Sequence, residues 1–192
     1  MKKQPILILD IYNKIDTSNM MFKTVKIICF FLFSSLFISC QNDEAPEKNQ
    51  EIYFEKFSIN YAWGLNYNHW IIDNEGNVRV NKERDSIIWI DTDNLNSYKE
   101  MFDSIVFIVD KSELEKYVAL ISKAAKGKVI ESNQNRADFG NVGFNCFTKN
   151  NHNFKTVVLT EMSDLLDKKN LSTEAEKIGI WLRELNLKMN SN

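Results

Sequence analysis

From Lys56 the apolar residues alternate, with Phe57, Ile59, Tyr61 and Trp63 separated by Ser58, Asn60 and Ala62. A period of two puts the large side chains on one sheet face, so this spacing predicts a strand whose core face includes Tyr61 and Trp63. Residues 64–68 read as a turn. Residues 69–73 and 77–81 then flank Asn74-Glu75-Gly76, where the glycine suits the positive φ of a bulged hairpin loop. Residues 86–91 and 104–109 are further β-branched runs that read as strands.

The period changes at Ser112. Ser112 and Glu115 have the spacing of a capping box, and Leu114, Val118, Ile121 and Ala125 recur at helical intervals up to Gly127, which suits a helix end. Residues 142–148 and 154–160 bracket the polar stretch 149–153 and predict a second hairpin. Thr173 and Glu176 mark another capping box. It opens a C-terminal helix with the stripe Ala175, Ile178, Leu182, Leu185 and Met189, widened by Trp181. Grouped strands with two amphipathic helices predict an α+β domain, a single antiparallel sheet with the helices packed on one face.

Ahead of this domain, Lys23 and Lys26 precede an uncharged apolar run, 27–38, then Ser39 and Cys40. Crossing a bilayer takes roughly 20 apolar residues, so the shorter run reads as a signal peptide. A small residue directly before a cysteine resembles the lipobox of bacterial lipoproteins, with Phe37 standing where leucine is usual. The resemblance covers residues 21–44. It implies cleavage between Ser39 and Cys40, acylation of the Cys40 thiol, and attachment to a membrane of the cell envelope, with the outer membrane expected. Gln41, Asn42, Asp43 and Glu44 also resemble the acidic tether of surface-exported lipoproteins of the Bacteroidetes. Asp10 and Asp16 lie upstream of the signal and fit it poorly, so translation is expected to start at Met20 or Met21. Residues 41–50 contain no aromatic or β-branched residue and read as a linker. The expected organisation is 1–39 signal, 40–50 lipidated cysteine and linker, and 51–192 one globular domain.

A chain of 192 residues with 44% hydrophobic composition supports one ordinary core. Beyond residue 39 it carries 19 basic and 24 acidic residues, a balance that disfavours nucleic-acid binding. Of three cysteines, Cys29 lies in the signal and Cys40 is the lipidation site, which leaves Cys146 as a small core residue without a disulfide partner.

Candidate chemistry is sparse. Cys146 and His152 would act as nucleophile and base only if they met across one hairpin beside a third, orienting group. Asp91, Asp93 and Asn94, and separately Asp73, Glu75 and Asn77, fail the calcium-loop pattern at Leu95 and Val78 and read as polar turns. Asp138-Phe139-Gly140 matches a kinase triplet by letters alone. The tripeptides beginning at Asp85 and Asp103 resemble a short O-glycosylation acceptor, and each stands at an expected strand start. No metal, cofactor or catalytic residue is expected.

The remaining feature is aromatic density. Tyr61, Trp63, Tyr67 and Trp70 fall within ten residues, beside Asn66, Asn68 and His69. Aromatic faces with amide neighbours suit sugar stacking or a protein hot spot. Tyr67 in the expected turn is the exposed anchor of this reading, with Trp70 its companion. The sequence therefore points to a lipid-anchored, non-catalytic binding protein of the envelope with a protein or glycan partner, a toxin-neutralising immunity lipoprotein being one form. A small envelope hydrolase with scattered carboxylates and a structural envelope component are the competing readings.

Overall fold

The computed structural model describes residues 50–81, 87–150 and 153–191, all in one compact unit. The signal, Ser39, Cys40, the tether, Asp85, Ser86 and His152 lie outside the described residues.

At the centre of the sheet is β1 (Ile52–Asn60), where the alternation seen in the sequence places Phe57 and Ile59 on one face. A bulge between Ile52 and Phe54 breaks the period and sends these two side chains into different clusters on opposite faces. The expected first hairpin is present as β2 (Asn66–Asp73) and β3 (Asn77–Val80), with Gly76 at φ 86° in its turn. The edge strand β4 (Ser104–Ile108) follows, and β5 (Val129–Asn133) forms the opposite edge. The second hairpin is β6 (Asn141–Asn150) with β7 (Asn153–Ser163), followed by β8 (Leu166–Asn170). Among the described residues these form one eight-stranded sheet in the order β4-β3-β2-β1-β6-β7-β8-β5, antiparallel throughout.

Helices α1 (Lys111–Val118), α2 (Ile121–Ala124) and α3 (Thr173–Asn190) cover one face, as expected of an α+β domain. Leu114, Ile121, Ile178, Trp181 and Leu182 meet Phe54, Phe144 and Cys146 there, and Tyr117 stacks on Trp181 at 4.1 Å. The helix starts differ from the expected boxes. Asp110 caps α1 by accepting from the Ser112 amide at 2.8 Å, and Ser172 caps α3 by accepting from Ala175 at 3.1 Å. Each cap lies upstream of its expected serine or threonine, because the capping side chain must stand just outside the helix to reach its free amides.

The other sheet face carries a cover that the sequence did not announce. A 3-10 helix (Thr92–Met101), capped by Asp91 at its start and Phe102 at its end, lays Leu95 and Phe102 over Ile52, Ile71 and Phe147. Residues 87–90, expected within a strand, join no strand. Ile87, Ile88 and Ile90 pack inward and Trp89 outward, but Ile88 gives both backbone groups to the Tyr67 hydroxyl instead of to a neighbouring strand.

Two further boundaries move. Gln50, expected in the linker, is fully buried and donates from Nε2 to the Ile52 and Phe147 carbonyls, both at 2.8 Å, so the folded domain includes it. β5 and β8 were missed because they lack apolar alternation. Polar pairs hold that side instead: Lys168 with Glu161 at 2.9 Å, and Arg136 on both carboxylate oxygens of Asp167 at 2.9 and 2.7 Å. No helix among the described residues is long and apolar enough to cross a membrane.

Candidate aromatic binding site

The four aromatics singled out by sequence divide in the reverse of the expected way. Strand β1 stops at Asn60 because its side chain is drawn off the strand path: Oδ1 accepts from the Ala62 amide at 2.8 Å, and Nδ2 donates to the Asp138 and Phe139 carbonyls at 2.8 and 3.2 Å. Gly64, at φ 103°, completes the turn back. Tyr61 and Trp63, expected in the core, are therefore 63% and 99% exposed. Strand β2 resumes at Asn66, so Tyr67, the expected exposed anchor, pairs with Ile59 and is only 7% exposed. Trp70, its expected companion, is buried against Phe144 on the helix face.

The exposed pair has company that spacing could not reveal. Tyr61 shares a groove of about 350 Å³ with Trp89, Leu165, Asn141, Ser163 and Asp164, drawn from three separate parts of the chain. Trp89 is 61% exposed, yet its position is held from below, where its ring meets Phe57 at 6.4 Å. Gly140 belongs to the same wall at φ 80°, where a side chain would collide with the Ile59 carbonyl. The loop before β6 is thereby pressed against β1. Asp164 Oδ1 accepts from the Phe139 and Gly140 amides at 2.7 and 3.1 Å, tying the β7–β8 turn to that loop.

Further along the same strands lies a buried polar chain. His69 Nε2 stands 2.8 Å from Glu55 Oε1, while Glu55 Oε2 accepts from Asn145 at 2.9 Å. On its other side, His69 Nδ1 meets the Tyr67 hydroxyl, and the Phe102 ring packs edge-on to the imidazole at 4.7 Å. Tyr67 also accepts from the Ile88 amide at 3.0 Å and faces its carbonyl at 3.1 Å. Burial pushes the Tyr67 phenol up to about 12, with the Glu55 charge adding to the rise and the Ile88 hydrogen bond opposing it. The hydroxyl is thus neutral at physiological pH and serves as a strut under the segment that carries Trp89.

A second cavity, of about 320 Å³, lies between β2, β3, β4 and the last turns of α3, with Asn68, Trp70, Val106, Asn186 and Met189 in its wall. Trp70 Nε1 donates to Asn186 Oδ1 there at 3.2 Å. The remaining sequence candidates resolve as structure. Asp73 is buried and accepts from the Glu75 and Asn77 amides, both at 2.9 Å, from Asn77 Nδ2 at 3.0 Å and from Arg79 at 2.6 Å. Arg79 and Asn77 outweigh the upward push of burial and hold its carboxyl below the usual range. Cys146 is fully buried, which drives its thiol far above the usual value. No cluster of three metal-ligating side chains occurs among the described residues.

Trp89, Asn141, Asp164 and Leu165 were missed by sequence reasoning. Trp89 stands in an apolar run, 87–90, whose uniform composition gives no sign of which side chain faces outward. No protein-family model, curated protein or solved structure matches the chain.

Proposed function

We propose that this chain is a lipid-anchored, non-catalytic binding protein of the bacterial cell envelope that works through the aromatic end of its sheet. The observation that carries this reading is the convergence of Tyr61, Trp89 and Leu165 on one groove, with Trp63 fully exposed two residues along the same loop as Tyr61. Leaving a large side chain in water forgoes roughly 1.5–3 kcal/mol of burial, and a cluster of such residues is the usual mark of a contact surface.

The attachment geometry supports the same reading. Gln50 is fixed at the start of β1, and Tyr61 follows the strand's other end nine residues of strand later, about 30 Å away. On this reading the chain leading from Cys40 enters the domain at the end of β1 remote from the groove.

The test separates anchor from contact. Cys40→Ala removes the lipid acceptor, so membrane fractionation should show loss of the anchored, processed form; normal maturation and membrane partitioning would overturn the anchor. A folded Trp63→Ala, Trp89→Ala double variant should lose partners captured by cross-linking in intact cells. Unchanged capture would remove the aromatic end as the binding face.

A further inference from the structure

Resting on that binding reading, we infer that the groove is a saccharide site, taking a neutral sugar chain whose apolar ring faces lie on Trp89 and Tyr61 and whose hydroxyls bond Asp164. The lining chemistry selects this ligand class. Two exposed aromatic rings offer flat apolar faces but little depth, which suits the C–H face of a pyranose. The polar wall offers an unfilled acceptor. Asp164 Oδ1 is engaged by two backbone amides, whereas no described residue donates to its second oxygen. Asn141 backs this wall, donating from Nδ2 to Glu161 at 3.0 Å with its side-chain oxygen buried. A ligand completing this wall must bring donors, as sugar hydroxyls do.

Charge argues against the neighbouring ligand classes. An anionic ligand would meet the Asp164 carboxylate, and among the described residues that line the groove there is no cation to receive it. Arg136, which reaches the Ser163 carbonyl at 3.3 Å, has its guanidinium occupied by both oxygens of Asp167. A cationic peptide would find a single carboxylate, already sharing its charge with two amides and with the field of Arg136. A neutral polyol pays neither penalty.

The test uses the full chain in detergent micelles, titrated with neutral hexasaccharides of glucose, mannose and N-acetylglucosamine while indole emission is followed. At least one should shift the emission in a salt-independent manner. Trp89→Ala and the near-isosteric Asp164→Asn should each weaken binding at least about tenfold, or about 1.4 kcal/mol. Trp89→Phe, which keeps a ring, should retain most of the affinity and guards against a folding defect in the alanine variant. Absence of any shift at millimolar sugar, or affinity unchanged by Trp89→Ala, would overturn the saccharide assignment. A lysine-rich peptide or a phosphatidylcholine vesicle that binds instead, and is lost in Trp89→Ala, would overturn it too while leaving the aromatic end as a binding face. Failure of every probe together with unchanged partner capture by the Trp63, Trp89 double variant would remove both.

Discussion

Tyr67 and Ile88 are joined through both backbone groups of the isoleucine: the Ile88 amide donates to the phenol oxygen at 3.0 Å, and the Ile88 carbonyl lies 3.1 Å from the same oxygen. One hydroxyl proton cannot serve that carbonyl and His69 Nδ1 at once, so the tautomer of the imidazole and the grip on residues 87–90 are linked. The side chain expected to meet a partner thus holds in place the segment bearing Trp89, which does stand at the surface.

Tyr67→Phe keeps the ring between Ile59 and Ile87 but removes the hydroxyl. The Ile88 amide and His69 Nδ1 then lose a partner, and the expected cost is about 1–3 kcal/mol in urea unfolding. Faster hydrogen exchange at the Ile88 amide should accompany it. Unaltered stability with full protection at Ile88 would contradict the strut.

Lys56 is buried on the helix side, with its ammonium 2.9 Å from Asn68 Oδ1. Desolvation lowers it to about 8 from 10.5, so the unfolded chain binds this proton more tightly than the folded one. Below about 8 the group is charged in both states and its desolvation opposes folding; between about 8 and 10.5 that penalty is relieved and stability rises with pH. Lys56→Met should flatten this rise and stabilise the domain at neutral pH. Denaturation midpoints of the two proteins that run parallel from pH 7 to about 10 would refute it.

The buried Asp73 carboxylate gathers donors from Glu75, Asn77 and Arg79 and is held below its ordinary value of 3.8. Its contribution is complete above the unfolded value and disappears as pH falls through the lower folded one. Acid unfolding should therefore lose part of its pH dependence in Asp73→Ala. At neutral pH the same change leaves the Arg79 guanidinium without its partner and should cost about 3–5 kcal/mol, measured by thermal or urea unfolding.

Cys146 sits between sheet and helices with its thiol pushed upward by burial, so the native protein should not react there with a thiol-specific disulfide reagent. Reaction should begin only in denaturant. Rapid labelling of Cys146 in the folded state, located by peptide mass mapping, would contradict its core placement.

Local pattern was enough to place the β2–β3 and β6–β7 hairpins, the C-terminal helix, the core position of Cys146 and the α+β class, since periods of two and 3.6 report which side chains share a face. It also drew attention to the aromatic stretch 61–70, of which Tyr61 lines the groove. Where a strand stops is a different question. β1 ends at Asn60 because Nδ2 meets carbonyls at residues 138 and 139, and this end turns Tyr61 and Trp63 outward while the early start of β2 takes Tyr67 in. Likewise 87–90 has the β-branched composition of a strand but spends the Ile88 backbone on a tyrosine 21 residues away. The meeting of Tyr61, Trp89 and Leu165, and the polar edge pair β5–β8, also depend on partners remote in sequence. Periodicity along the chain records burial one element at a time, whereas the partner that completes a backbone group or closes a groove is chosen only when distant segments come together.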